Sequence, residues 1–207
     1  MDIHIVLYFT AASILLTLAP GPDILFVAAQ SVSNGRKAGI ATALGLCTGV
    51  LAHTFAAAAG ISALLYNSAL LFQLVKYAGA AYLLYLAWQA LKEGAGELSL
   101  ERVPRQSAGA LYRRGILMNV LNPKVSLFFL ALLPQFVTPD GSHPALQMMV
   151  LGVIFMVQAI VVFSLVSLGA GFVGSKLRAR TGTIRWINRA KALLYAVIGL
   201  RLMFAQK

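Results

Sequence analysis

The stretch Pro20-Gly21-Pro22-Asp23 interrupts an apolar run that spans residues 3–32. Each proline ring removes a backbone hydrogen-bond donor and crowds the preceding turn, so a straight helix cannot run through the stretch. Asp23 adds a carboxylate where hydrocarbon is expected. Because a helix break and a buried acid are both costly in a membrane, the stretch predicts a binding site rather than a simple anchor.

The composition predicts an all-α integral membrane protein. Of the 207 residues, 59% are hydrophobic and 11% are charged, whereas soluble domains carry about 25% charged residues. The mean hydropathy is +0.81. Several apolar runs have the roughly 20 residues that a helix needs to cross a bilayer. The N-terminus lacks the basic segment of a signal peptide, so we expect the first run to be retained as a span.

The apolar runs predict six transmembrane helices. Thirteen of the 17 Lys and Arg residues fall in the first, third and fifth connections between these runs. Because basic loops stay in the cytoplasm, both termini are expected outside. The same rule accounts for the net charge of +11, so the expected partner is the lipid bilayer and not nucleic acid. The predicted spans are 3–32, 39–65, 70–91, 115–137, 145–172 and 192–204.

The residues offer little for redox, metal or catalytic chemistry. Cys47 is the one cysteine, which excludes an internal disulfide or a dithiol. Only Asp23 and His53 are available as metal ligands at depth, fewer than the three or four that a metal site needs. We therefore expect no metal, no cofactor and no enzymatic activity.

The polar segment 93–114 divides the chain into two halves of three spans, repeat one over 1–92 and repeat two over 115–207. We interpret 93–114 as a mobile cytoplasmic linker. Since three is odd, the halves would lie in the membrane with opposite orientations, as in the inverted repeats of secondary transporters. Both first spans contain a proline followed at once by a charge, Pro22-Asp23 and Pro123-Lys124. The sequence therefore predicts a 3+3 repeat with a broken first helix in each half.

The two charges are expected at similar depth. Asp23 lies 13 residues from Arg36, and Lys124 lies ten residues from Arg114, which is about 20 Å and 15 Å of helix. A lone charge at mid-membrane costs about 2.5–3.5 kcal/mol or more. Two such charges of opposite sign predict a pair that faces a shared cavity. The alternative is a buried salt bridge that only sets the register of the two halves.

Other polar and small residues in the spans are secondary candidates. Gly45 and Gly49 form a G-x-x-x-G pair that is typical of close helix packing in membranes. His53 shares their stripe, and we consider it either for proton binding or for an interhelical hydrogen bond. Asn119 and Gln158 are weighed in the same way.

In these motifs the chain resembles the LysE/RhtB family of amino-acid exporters. The resemblance covers the whole chain and rests on four features. They are Pro20-Gly21-Pro22-Asp23, the glycine-rich second span with Gly45 and Gly49, Asn122-Pro123-Lys124, and Leu127-Phe128-Phe129 through Pro134-Gln135-Phe136.

The resemblance implies export of amino acids or close derivatives across a bacterial inner membrane, driven by the proton gradient. The RhtB-like branch favours a neutral substrate such as homoserine, threonine or leucine, and the alternative is lysine or arginine. The expected partners are the substrate, protons and lipid, and a homo-oligomer is compatible with the sequence. A channel or a purely structural membrane protein is a further alternative, although the chain has no ring of repeated polar residues.

A substrate zwitterion suggests roles for the two breaks. Asp23 is suited to the ammonium, and Lys124 with Asn122 and the half-helix ends is suited to the carboxylate. If Lys124 moves away, Asp23 can take a proton, so that substrate and proton compete for one carboxylate. Pro20, Gly21, Pro22 and Pro123 shape the breaks.

Overall fold

A computed structural model describes residues 1–19, 21–61, 69–92, 105–138, 143–177 and 181–204. These residues are 92% helical and none of them lies in a strand, which confirms the predicted all-α class. We number the helices α1 to α8. Their bounds are α1 Ile3–Leu18, α2 Pro22–Asn34, α3 Arg36–Ala56, α4 Ala69–Lys92, α5 Ala108–Val120, α6 Pro123–Leu127, α7 Pro144–Leu177 and α8 Thr181–Phe204.

Both predicted helix breaks are present. The axis bends by 57° between α1 and α2, and by 47° between α5 and the segment Pro123–Phe136. Pro22 and Pro123 each occupy the first turn of the helix that follows the break. A proline is favoured there, because the first N–H groups of a helix have no intrahelical partner. Pro20 lies outside the described residues.

The second break continues into irregular helix. After α6, a π-helical turn covers Phe128–Leu132 and a 3₁₀ turn covers Leu133–Phe136. A π-helical turn, Ala57–Ile61, also follows α3. Such turns shift the face that a helix presents and are frequent at functional sites.

The described helices support up to four membrane spans. Two helical segments are long and apolar enough to cross by themselves, Arg36–Ala59 and Pro144–Ala170. Each bent pair adds one span if it crosses as a unit. The arrangement of six spans stays a prediction.

Helices α5 and α8 begin well before the spans predicted for them. α5 begins at Ala108, inside the predicted linker, and Ser107 caps it by accepting a hydrogen bond from the Ala110 N–H at 3.3 Å. α8 begins at Thr181 rather than at residue 192. Apolar runs mark the part of a helix in hydrocarbon, and a helix continues beyond that depth with polar residues. Residues 93–104 of the predicted mobile linker lie outside the described residues.

The helices pack in pairs that join the two halves of the chain. α3 packs against α5 and α7, α7 also packs against α1 and α2, and α4 packs against α8. A Cβ atom on Gly45 would lie 2.0 Å from the carbonyl oxygen of Tyr112, and one on Gly115 would lie 2.6 Å from that of Thr42. Glycine at these two facing positions therefore allows the backbones of α3 and α5 to touch.

The turn between α2 and α3 is a single residue. Gly35 has a φ of 89°, ends α2 and begins α3. This left-handed conformation favours glycine. The connection between the first two predicted spans, 33–38, is thus reduced to Gly35, and its other residues are helical.

Candidate functional site

Asp23 lies at the start of α2, one residue after Pro22. It is only 3% exposed. The N-terminus of a helix carries a partial positive charge, so α2 itself stabilises a carboxylate at this position.

Lys124 lies at the matching position of α6, one residue after Pro123, and is also buried. Its Nζ is 3.7 Å from Oδ2 of Asp23. The same ammonium donates to the carbonyl oxygens of Leu16 and Ala19, at 3.1 and 3.4 Å. These carbonyls belong to the end of α1, which carries a partial negative charge. The predicted pairing of the two charges is present in the structure.

Asn122 connects the two breaks. Its Oδ1 accepts from the Lys124 N–H at 3.0 Å and so caps α6. Its Nδ2 donates to Oδ1 of Asp23. Asn122 was expected beside the substrate carboxylate, whereas in the structure its amide donates to the carboxylate of Asp23.

A small cavity adjoins the ion pair. The centre of a water molecule fits within a volume of about 10 Å³ in this cavity, which is roughly the room that one water needs. An amino acid is several times larger, so it can bind only if the surrounding helices separate. The lining residues come from both halves of the chain and are Leu16, Thr17, Asp23, Val50, Asn119, Lys124, Val125, Phe155, Ala159 and Phe163.

Asn119 lines the cavity, and its backbone is hydrogen-bonded to the side chain of His53 in α3. Its carbonyl oxygen is 2.9 Å from Nε2 of His53. A carbonyl can only accept, so Nε2 of His53 carries the hydrogen. His53 therefore makes the interhelical hydrogen bond that was one of the two expectations for it. The side chain of Asn119 packs on Gly49, where a Cβ atom would lie 2.7 Å from Cβ of Asn119.

Gln158 reaches the cavity through Thr17. Its Nε2 donates to Oγ1 of Thr17 at 3.0 Å, which joins α7 to α1. Thr17 in turn donates to the carbonyl oxygen of Ser13 at 2.8 Å. Sequence reasoning missed Ser13 and Thr17, although two small polar residues four apart on an apolar helix mark an inward-facing stripe.

Aromatic side chains close the cavity on one side. Phe155 of α7 lies 5.4 and 5.1 Å, between ring centroids, from Phe128 and Phe129. Phe128 also contacts Phe9 at 5.8 Å. The Leu127-Phe128-Phe129 motif therefore forms part of the packed wall beside the ion pair.

The fold and the site define a helical membrane protein with opposite charges paired at two helix breaks. The model of the LysE type translocator family matches residues 14–206, and the chain belongs to that family. This confirms the resemblance found in the sequence.

Named relatives cover most of the chain. A homoserine/homoserine lactone efflux protein of Salmonella typhimurium (strain LT2) is 32% identical over 199 residues, which are 96% of this chain and 95% of the relative. A protein of the same name from Salmonella typhi is 32% identical over 202 residues, with the same coverage. An uncharacterized membrane protein of Vibrio cholerae is 35% identical over 171 residues, 82% of this chain and 83% of the relative. No solved structure gives a significant match.

Proposed function

We propose that this protein is a secondary transporter that exports neutral amino acids or close derivatives from the bacterial cytoplasm in exchange for protons. One observation carries the proposal. Asp23 and Lys124, 101 residues apart in the sequence, are buried against each other at two helix breaks. Buried ion pairs seldom add net stability, and intramembrane charges are by default functional.

The pair matches the two charges of an amino acid. The substrate ammonium would replace Lys124 beside Asp23, and the substrate carboxylate would bind Lys124. A homoserine lactone has the ammonium but no carboxylate, and its ester carbonyl can only accept a hydrogen bond from Lys124. The ammonium is therefore the group that all substrates share, and Asp23 is its ligand.

The structure supports a mechanism in which the pair opens. With about 10 Å³ of cavity, bound substrate requires that Asp23 and Lys124 separate. Asn122 would keep Asp23 in place during this step, because its amide is bonded to the carboxylate. Once Lys124 has left, Asp23 has no other charged partner among the residues that the structure describes, and it binds either a substrate ammonium or a proton. That competition couples export to proton influx.

The packing favours the inverted repeat that such a mechanism uses. In an inverted repeat, the broken helix α1–α2 corresponds to α5–α6, α3 corresponds to α7, and α4 corresponds to α8. The contact between α3 and α5 should then have a counterpart between α7 and α1–α2, and both contacts are present. The α3–α7 and α4–α8 contacts each map onto themselves. Rocking of one half against the other would then expose the pair to each side of the inner membrane in turn.

The lining favours a neutral substrate side chain. Among the described residues that line the cavity, Asp23 is the only acid, and it is needed for the ammonium. A lysine or arginine side chain would require a second acid. The names of the Salmonella relatives, which concern homoserine and its lactone, agree with this choice.

The test is the substitution Asp23→Asn in purified protein reconstituted into vesicles. Vesicles are loaded with radiolabelled homoserine, threonine or lysine, and a pH gradient, acidic outside, drives export. We expect gradient-driven export of at least one neutral amino acid by the wild type and a loss of at least 100-fold in the variant, since one stabilised ammonium is worth a few kcal/mol.

Asp2→Asn is the matched control. It makes the same chemical change at an exposed acid that caps α1, and export should stay within twofold of wild type. Full export by Asp23→Asn would refute the proposed role of the pair. Export that never saturates with substrate would favour a channel, and preference for lysine would favour a basic-amino-acid exporter.

A further inference from the structure

We infer that Asn119 selects the substrate by exchanging a hydrogen bond with an uncharged polar group on the substrate side chain. The inference rests on the proposed function and deepens it. It concerns a third contact of the site, separate from the two charges.

The carboxamide of Asn119 is buried without full hydrogen bonding. Asn119 is 3% exposed, and its Oδ1 has no hydrogen-bond partner among the described residues. Leaving a buried polar atom unpaired is costly, because the atom loses its hydrogen bonds to water and gains none in return. Oδ1 lies beside Gly49, where a Cβ atom would meet it at 2.9 Å, while the residue as a whole lines the cavity next to the ion pair. A turn of the carboxamide would let a ligand in the cavity supply the missing partner.

The surroundings fix where this carboxamide stands. The backbone of Asn119 is tied to α3 by His53, at 2.9 Å, and its side chain is pressed against Gly49. The terminal torsion of asparagine is broad, so either Oδ1 or Nδ2 can turn toward the cavity. A side-chain hydroxyl both donates and accepts, so it fits either orientation.

The rest of the lining is apolar where the substrate side chain would lie. Val50, Phe155, Ala159 and Phe163 surround the cavity with hydrocarbon. An apolar wall discriminates a methyl from a hydroxyl by only about 100-fold. A site that also hydrogen-bonds the hydroxyl rejects the aliphatic analogue much more strongly, because its own polar atom is then left unpaired.

The inference therefore names the substrate class as short neutral amino acids with a side-chain hydroxyl. It also assigns a division of labour: Asp23 and Lys124 bind what all amino acids share, and Asn119 distinguishes among side chains. Removal of the Asn119 carboxamide should change selectivity without abolishing export.

The experiment compares isosteric substrate pairs, homoserine with norvaline and threonine with valine, in the same vesicles. For each pair we measure the ratio of kcat/KM values for export by the wild type and by Asn119→Leu. The wild type should favour the hydroxylated member of at least one pair, and Asn119→Leu should lower that ratio at least tenfold, mainly through the KM of the hydroxylated substrate. Asn119→Ser, which keeps a hydrogen-bonding group, should restore part of the ratio and covers the case in which Asn119→Leu does not fold.

The outcomes separate the inference from the proposed function. If export of both members falls equally, or if the ratio does not change, Asn119 has a structural role and the inference is overturned while the transporter stands. If the wild type exports none of the four amino acids, the proposed substrate class fails and the inference fails with it. If the aliphatic member is preferred by the wild type, the inference alone is overturned.

Discussion

The two helix breaks place opposite charges at the same backbone position, but only one of them suits its own helix. Asp23 and Lys124 each follow a proline in the first turn, of α2 and of α6. A helix N-terminus stabilises an anion and opposes a cation. Lys124 is stabilised instead by the first break, through the carbonyl oxygens of Leu16 and Ala19. The first break therefore binds both charges, whereas the second brings a charge that its own helix does not stabilise.

The N-cap residues that follow the two breaks, Gly21 and Asn122, also differ. Gly21 is the N-cap residue of α2, and because glycine has no side chain, it cannot cap the helix through a side-chain hydrogen bond. A Cβ atom on Gly21 would lie 3.3 Å from Nζ of Lys124, so glycine leaves room for the ammonium. Asn122 caps α6 and also holds Asp23. Apart from Asp23 itself, the first break contributes space and backbone carbonyls, and the second contributes the side chains of Asn122 and Lys124.

The long helices also hold the two breaks differently. α7 bonds to both sides of the first break, through Gln158 to Thr17 of α1 and through Ser167, whose hydroxyl is 2.9 Å from that of Ser31 in α2. The side-chain bonds that the structure describes from α3 to the second break both end on α5. The described bonds that tie α6 to the first break run through Asn122 and Lys124. Because the lysine side chain is long and flexible, we expect Lys124 to move when the pair opens.

The largest effect is expected from Lys124→Ala. Removal of one member of a buried ion pair leaves the other charge unpaired and costs about 3–5 kcal/mol. Export should be lost, and the thermal unfolding temperature in detergent should fall markedly. Gradient-driven export in vesicles and unfolding monitored by size-exclusion chromatography measure the two effects.

The double variant Asp23→Ala, Lys124→Ala separates a transport site from a register device. If the pair only sets the register of the two halves, removing both charges should restore stability and export together. If the pair is the transport site, stability should recover while export stays absent. Restored export in the double variant would contradict the site.

A smaller effect is expected from Asn122→Gly. This change places glycine at the N-cap of α6, as Gly21 stands at the N-cap of α2. A change from asparagine to glycine costs only a few tenths of a kcal/mol at an N-cap. The lost hydrogen bond to the Asp23 carboxylate adds about 1.5–3 kcal/mol. Export should fall roughly tenfold or more, with KM rising as Asp23 loses its fixed position. Asn122→Asp is the informative partner variant, because it keeps the cap but sets a second carboxylate beside Asp23 and should transport no better.

Some of this arrangement could be predicted from the sequence. The motifs Pro22-Asp23 and Pro123-Lys124 predicted both breaks and both members of the ion pair. Proline and a buried charge are each energetically unfavourable inside a membrane helix, so their presence there indicates a special site. The carbonyls of Leu16 and Ala19 could not be found, since backbone acceptors exist at every residue. The bond from Asn122 to Asp23 depends on how the halves meet. The early start of α5 was missed because Ser107 is a polar cap, and hydropathy does not register caps.

The smallest effect is expected from Gly21→Ala, which tests whether the first break needs its space. The φ of −158° at Gly21 is open to any residue, so backbone strain does not contribute. The added Cβ meets Nζ of Lys124 at 3.3 Å, and the end of a flexible side chain can move by a few tenths of an ångström. Alanine is a poorer N-cap than glycine, and the replacement lowers the stability of the helix by up to about 1 kcal/mol. Export should fall by no more than a few fold, with Gly109→Ala, in open space, as the control. A loss as large as that of Lys124→Ala would show that the ammonium cannot shift at all, and that Asp23 rather than Lys124 must move to open the pair.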